Sequence, residues 1–332
     1  MVQISPKFSK AIVTGGAGFV GSHLVDSLLN EGIEVISLDD YSGGKASNLA
    51  HLSDNKNFTE VNCDITDYNE IKNFFEGVDI VFNQAASKMT VCLKDPRRDL
   101  KVNAEGTFNL LELSRDFGIK KFVHASTGSV YGKANMYPTD ENHLLNPASY
   151  YGVSKLAGEK YVRLFSDLYD LDTTILRYYH VYGPRQESSD VGGVVSIFAR
   201  RALEDKPLII YGDGSQIRSF TYVKDIVNLN KLVAVNSSTK GEAYNCASGI
   251  KVSILDLAKR VLKSLGKEHI EIIYEDWKIG DIKFFDVSNE KLKSLGATWD
   301  NDFEKGYEIS KKLVDDKSDD VLLQLQQVRA LR

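Results

Sequence analysis

The stretch Thr14-Gly15-Gly16-Ala17-Gly18-Phe19-Val20-Gly21 constrains the fold more than any other. It follows an apolar run, Lys10–Thr14, and leads into a helical pattern from Phe19 to about Glu31. A strand, a glycine turn and a helix in that order open a crossover between parallel strands. Gly15 permits the tight turn, Gly18 lets backbone approach a diphosphate, and Gly21 lets the helix pack closely on the sheet. The helix start then offers N–H groups and a positive dipole end to an anion. A glycine-rich turn of purely structural use is the competing reading.

The rhythm that follows supports the parallel sheet. Short apolar runs at Glu34–Leu38, Phe58–Asn62, Ile80–Asn83, Lys121–Ala125 and Thr173–Arg177 alternate with helical patterns at Tyr68–Phe75, Val102–Asp116 and Tyr150–Tyr169. Alternation of this kind predicts an α/β fold, a Rossmann-type doubly wound parallel sheet. After Arg177 the pattern changes to a helix at Val194–Glu204, an edge strand at Pro207–Tyr211 and a helix at Ser253–Leu265 capped by Ser253. The charged stretch from Phe303 to Arg332 reads as helical. Residues 1–177, with about 222–250, are expected to form the dinucleotide-binding domain. Residues 178–221 and 251–332 are expected to form a smaller mixed α/β lobe for the substrate. No internal repeat is visible.

Composition narrows the partners. A net charge of −5 recommends neither a nucleic-acid backbone nor an anionic membrane. No apolar run is long enough to span a bilayer. Cys63, Cys92 and Cys246 show no metal-ligand spacing, so no metal is expected, and their odd number reads as reduced thiols. The first ten residues leave no room for a secretory segment, and a cytoplasmic protein is expected.

Asp39 ends the second expected strand, 18 residues after Gly21, where a carboxylate can take the ribose hydroxyls of an adenosine. A second acid, Asp40, and the lack of an Arg beside the pair disfavour a 2′-phosphate, so NAD is expected rather than NADP. A helix cap or solvated turn is the alternative for Asp39. Tyr151 and Lys155 stand four apart at a helix start, on one face. An ammonium near a phenol favours phenolate and lowers its pKa from about 10, which suits a base. A solvated pair is the plain alternative, but Ser126-Thr127 ends the fifth strand 24 residues before Tyr151. Hydroxyls at the C-terminal end of a parallel strand face the ligand crevice.

In these stretches the chain resembles the extended short-chain dehydrogenases/reductases of the nucleotide-sugar epimerase/dehydratase family, along almost its whole length. The matching residues are Thr14–Gly21, Asp39-Asp40, Cys63-Asp64-Ile65, Asn83–Lys88, Asn103, Ser126–Gly132, Tyr151–Lys155, Arg177–Gln186, Tyr211–Val223 and Gly280–Asp286. Within the family the similarity is greatest to the UDP-glucose 4-epimerases. The resemblance implies that Asp64 and Ile65 hold the adenine. It places Gln84, Ala85, Ala86, Lys88 and Asn103 on the nicotinamide side, with Lys88 near the ribose, and has Ser126 and Tyr179 also meet the cofactor. Thr127 would bond the reacting hydroxyl, Tyr151 would be the base, and Lys155 would hold the ribose and tune Tyr151. Lys88, Ser126, Thr127, Tyr151, His180, Val194, Tyr211, Arg218, Lys278 and Asp281 would meet a UDP-sugar or another nucleotide sugar. Arg218 would grip the diphosphate, Lys278 stands where an Arg is usual, and His180 stands where an Asn is usual.

The resemblance also separates reactions. Dehydratases of the family carry an acidic pair after the catalytic hydroxyl, and decarboxylases usually carry a Glu there. Here Thr127 is followed by Gly128-Ser129-Val130-Tyr131. That favours epimerisation at C4 of a UDP-glucose/UDP-galactose type sugar through a 4-keto intermediate. Dehydration, or oxidation of another nucleotide sugar, is the second reading, and a non-catalytic NAD(H) sensor the remote one. Phe285 is expected to crowd an N-acetyl group. A homodimer pairing through Val102–Asp116 and Tyr150–Tyr169 is implied by the resemblance alone.

Overall fold

A computed structural model describes residues 2–87, 89–189, 192–277 and 286–299. In chain order its strands are β1 Lys10–Thr14, β2 Glu34–Asp39, β3 Phe58–Asn62, β4 Ile80–Asn83, β5 Lys121–Thr127, β6 Thr173–Tyr178, β7 Val181–Tyr182, β8 Leu208–Tyr211, β9 Ile217–Ser219, β10 Thr221–Tyr222, β11 Glu242–Cys246, β12 Lys251–Ser253 and β13 Ile272–Glu275. The helices are α1 Phe19–Leu29, α2 Tyr68–Lys72, α3 Met89–Lys94, α4 Pro96–Leu100, α5 Thr107–Asp116, α6 Tyr150–Tyr169, α7 Val194–Leu203, α8 Val223–Val235, α9 Ile254–Ser264 and α10 Glu290–Lys293.

The principal sheet has seven strands in the order β11-β6-β5-β4-β1-β2-β3. Every neighbouring pair in it is parallel. This is the Rossmann-type sheet expected from the glycine turn and the alternating rhythm. Chain order reverses between β1 and β4, so the loops leaving those two strands diverge and open a crevice at the C-terminal ends. Gly15 leaves β1 there, and Gln84 leaves β4. Strands β4 and β5 are buried along their whole length, which is why Ile80-Val81-Phe82 of β4 reads as a continuous apolar run. Ile12, Val81 and Phe122 of the sheet share one core with Leu110, Leu113, Val162 and Phe165 of α5 and α6.

The helix expected at Val102–Asp116 divides in two. Lys101–Gly106 is a π-helical turn, and α5 follows it. Thr107 Oγ1 donates to the Asn103 carbonyl at 2.9 Å, and Gly106 lies against the Ile65 side chain. Single π turns inside helices recur at functional sites. Helix α8 has no counterpart among the expected elements, because its Val and Asn residues carry weak helix propensity.

By internal contacts the chain forms two units. The first comprises Met1–Tyr179, Lys224–Ala247 and Val287–Thr298; the second comprises His180–Val223, Ser248–Asp286 and Trp299–Arg332. Residues 287–298 therefore group with the first unit, not with the second lobe as the sequence suggested. Asn289 Nδ2 donates to the Ala247 carbonyl at 2.8 Å, and Lys291 Nζ to Glu242 Oε2 at 2.6 Å. Within the second unit β7 pairs with β10 and β8 with β13, both parallel, while β9 and β12 are antiparallel. Ser253 caps α9 by accepting the Asp256 amide at 3.0 Å. The helix expected beyond Phe303 lies outside the described residues. Among the described residues no helix is long and apolar enough to cross a membrane.

Candidate active site

Gly15 sits in the left-handed region at φ 64°. A Cβ on it would lie 2.8 Å from the Ala85 backbone. A Cβ on Gly21 would overlap the Gly15 carbonyl oxygen. Both positions therefore require glycine. Gly18 is the N-cap of α1 without a side-chain cap, and the Phe19, Val20 and Gly21 amides begin the helix, where N–H groups have no partner within it. That end is built to receive an anion.

Asp39 closes the turn from the next strand. It is 6% exposed; Oδ2 accepts the Ala17 amide and Oδ1 the Tyr41 amide, each at 2.9 Å. Burial raises its pKa, and those two amides pull it back. The expectation that no Arg stands beside the acids is overturned. Arg98 of α4 donates to Asp40 Oδ2 at 2.6 Å and to Asp64 Oδ2 at 2.7 Å. Distant in sequence, it arrives by tertiary packing. Its charge is taken up by two carboxylates. Burial pushes the Asp64 carboxyl up, but Arg98 and Thr66 outweigh it and hold the pKa below the ordinary value. Ile65 is buried in the core against Gly106.

On the other side of the crevice, the Ala85 amide donates to Thr14 Oγ1 at 3.1 Å. Gln84 Nε2 donates to Asn230 Oδ1 at 3.1 Å, and its Oε1 accepts the Tyr178 hydroxyl proton at 3.0 Å. Ala86 is exposed. Asn103, expected to line the nicotinamide, is 0% exposed and bonded within the protein. Its Oδ1 accepts the Ser87 amide at 3.1 Å, and its Nδ2 donates to Asp99 Oδ1 and to Ser154 Oγ at 3.0 Å. It ties the loop after β4 to α6. Lys88 lies outside the described residues.

Ser149 caps α6, accepting the Gly152 amide at 3.1 Å. Gly158 brings the helix close enough that a Cβ there would stand 2.7 Å from the Asn103 carbonyl oxygen. Lys155 is 1% exposed, and its Nζ has no hydrogen-bond partner among the described residues. Burial lowers its pKa to about 8, opposed by the charges of Glu159 and Asp99, so it remains an ammonium at pH 7. Burial pushes the Tyr151 phenol up to about 12, opposed by a hydrogen bond with Thr127. The expected depression by Lys155 is not found: burial, with the Asp99 and Cys92 charges, raises the phenol, and only Thr127 lowers it. Thr127 also accepts the Ser129 amide at 3.2 Å. Ser126 Oγ donates to Glu159 Oε1 at 2.5 Å. Tyr179 is 3% exposed, with its ring against Gly128.

A buried ammonium with no hydrogen-bond partner among the described residues, and a glycine turn that leads into open helix amides, match the ribose diol and diphosphate of a dinucleotide. The donor set therefore fits NAD.

In the second unit, His180 and Arg218 come together. Burial, and then the Arg218 charge, lower the His180 pKa to about 3 against a hydrogen bond to the Ser219 backbone, so its imidazole is neutral and carries no charge. Arg218 is 7% exposed, with one guanidinium N–H donating to the Ile217 carbonyl at 3.0 Å. Val194 begins α7 and Tyr211 ends β8. Lys278, Asp281 and Phe285 lie outside the described residues. Sequence reasoning missed Arg98, Asp99 and Glu159. Only Glu159 left a signal, standing four residues after Lys155 as Lys155 stands after Tyr151.

Comparison with known proteins agrees with this geometry. Residues 11–247 match the model of the NAD dependent epimerase/dehydratase family. The UDP-glucose 4-epimerase of Mycolicibacterium smegmatis is 36% identical over 289 residues, 86% of this chain and 92% of that protein. The structure of Thermotoga maritima UDP-glucose 4-epimerase with UDP-glucose is 34% identical at a TM-score of 0.87, over 92% of this chain and 99% of that one. The dTDP-glucose 4,6-dehydratase DesIV of Streptomyces venezuelae, with NAD bound, is 28% identical at a TM-score of 0.86, over 93% of this chain and 97% of that one.

Proposed function

Because the chain belongs to the NAD dependent epimerase/dehydratase family, whose members use NAD, we propose that it inverts C4 of a nucleotide sugar of the UDP-glucose/UDP-galactose type through a transient 4-keto sugar. One observation carries the choice of reaction. Thr127, bonded to Tyr151, caps a turn that continues Gly128-Ser129-Val130-Tyr131. Eliminating water needs an acid beside the reacting carbons, and this turn provides hydroxyls instead.

Gly15, Gly18, Phe19, Val20, Gly21, Asp39, Asp40, Asp64 and Ile65 would hold the adenosine diphosphate half of NAD. Gln84, Ala85, Ala86, Ser126, Tyr151, Lys155 and Tyr179 would hold the nicotinamide half. Bound there, NAD supplies a hydride acceptor at C4, a ring cation, and return of the hydride to either face. Tyr151 takes the proton of the C4 hydroxyl and later gives it back. Thr127 holds that hydroxyl in line. Lys155 keeps a positive charge near the phenol, which the buried Tyr151 needs before it can act as a base at neutral pH. Val194, Tyr211, His180 and Arg218 are assigned to the nucleotide sugar, with the Arg218 fork suited to its diphosphate.

The protein is also proposed to be a homodimer. Tyr150, Val153, Tyr161, Leu164 and Leu168 leave an apolar stripe exposed along α6 at helical spacing.

Incubation with UDP-, dTDP-, GDP- and CDP-sugars, followed by NMR, tests the reaction. Inversion at C4 without change of mass is expected, and loss of water or net NADH formation would replace epimerisation by the dehydratase or oxidoreductase reading. Tyr151→Phe is expected to abolish turnover while leaving NAD binding nearly intact.

A further inference from the structure

Below the hydroxyls at the end of β5 lies a buried charge pair that the steps above do not use. Glu159, one turn beyond Lys155 on α6, is 3% exposed. Its Oε1 accepts Arg177 Nε–H at 3.0 Å and the Ser126 hydroxyl proton at 2.5 Å; its Oε2 accepts from Arg177 Nη2 at 2.7 Å. Arg177 Nη1 donates to the Tyr131 hydroxyl at 2.6 Å, and Tyr131 donates its own proton to Asn245 Oδ1 at 2.8 Å. The Asn245 amide is held with its nitrogen turned the other way, 3.3 Å from the Thr139 and Ser288 carbonyls.

This network fixes where each proton lies. An ionised carboxylate accepts only, and a hydroxyl has one proton to give. With its proton held by Glu159, Ser126 meets any further group through its lone pairs alone. A buried arginine–carboxylate pair is seldom needed for stability, since apolar groups of the same shape usually serve as well. What this pair adds is a bond that reaches the residue before Thr127.

Resting on the reading of the site given above, we propose that Glu159 is a positioning residue that makes Ser126 an acceptor-only contact, so that the ligand group placed against it brings its own N–H or O–H. Two ligand groups have that chemistry: the carboxamide of the nicotinamide and a hydroxyl of the sugar. Misorienting such a contact is expected to lower kcat about 10- to 100-fold.

The test compares wild type, Ser126→Ala, Glu159→Gln and the double variant for kcat, KM and NAD content. Glutamine can donate as well as accept, so it frees Ser126 to turn. Each single variant is expected to lose turnover per folded molecule, and the double variant to be no worse than the poorer single. A carboxamide contact shows as lost NAD content, and as wild-type discrimination against the 3-acetylpyridine analogue of NAD, which lacks the amide N–H, that both variants lose. A sugar contact shows as lost kcat/KM at full NAD content. Wild-type kinetics and NAD content in Ser126→Ala overturn the proposal, as do multiplicative losses in the double variant. Should Glu159→Gln not fold, the charge-balanced Glu159→Gln/Arg177→Met variant takes its place with the same expectations. A wild-type protein that binds NAD yet turns over no nucleotide sugar defeats the proposed function instead, and the analogue discrimination still reports on Ser126.

Discussion

Asp39 Oδ2 accepts the Ala17 amide proton at 2.9 Å, so the acid that ends β2 also braces the glycine turn that leaves β1. One carboxylate thus shapes the turn and, in the proposed reading, would face the adenosine ribose. Asp39→Asn keeps the shape and removes the charge. NAD affinity is expected to fall about 10- to 100-fold, the value of one or two charge-assisted hydrogen bonds. NADP should lose much less, since the change also removes repulsion of a 2′-phosphate. Titration followed by NAD(P)H fluorescence decides it. Equal losses for the two cofactors would assign Asp39 to bracing alone.

Lys155 is held in the protein against its own solvation. Its pKa lies at about 8, below the ordinary 10.5. The unfolded chain therefore binds more protons than the folded one between those values, and stability rises with pH across that window. Below it the full penalty applies. Lys155→Met is expected to stabilise the protein at pH 7 by on the order of 2–4 kcal/mol while abolishing turnover. Urea unfolding at pH 7 and pH 10 should show the gain shrinking at the higher pH. A destabilised Lys155→Met protein at pH 7 would contradict the buried, unpartnered ammonium.

The stripe on α6 predicts its own test. Leu164 and Leu168 are 45% and 63% exposed, one turn apart on the same face. Leu164→Glu/Leu168→Glu is expected to convert a dimer into a monomer, measured by light scattering after size exclusion, with the far-ultraviolet circular dichroism unchanged. A wild-type protein that is already monomeric removes the dimer from the proposal.

How much could be read beforehand follows from where each signal lay. The strands flanking the glycine turn were legible because burial on both faces makes continuous apolar runs, and β1 and β4 occur as expected. Tyr151 and Lys155 were legible because helix periodicity puts them on one face. Arg98 was not, because its partners Asp40 and Asp64 stand 58 and 34 residues away and no local pattern couples them. The π turn at Asn103 was hidden for a related reason. The Thr107 bond and the Ile65 contact that accompany it depend on packing, whereas the apolar spacing reads as one helix. The misjudged sign at Tyr151 has another cause, since sequence shows a neighbouring ammonium but not the burial that raises the phenol.

His180 offers a prediction with a definite sign. It occupies φ 35°, a left-handed conformation that Asn tolerates well, so His180→Asn should fold. Burial and Arg218 hold the imidazole neutral, with a pKa of about 3 against the ordinary 6.5. Between those values the unfolded chain binds a proton that the folded chain refuses, so stability falls as the pH drops from 6.5 toward 3. Other groups add to that slope, but the difference between wild type and variant isolates this one. From pH 7 to 4.5 the wild type is expected to lose roughly 2–3 kcal/mol more than His180→Asn, measured by urea unfolding at both values. Turnover at pH 7 should stay within a few-fold, because an Asn amide can take over the hydrogen bond that the neutral imidazole makes to the Ser219 backbone. Parallel acid losses in the two proteins would mean that His180 titrates in the ordinary range, and a protonated imidazole would then stand beside Arg218 as a second cation.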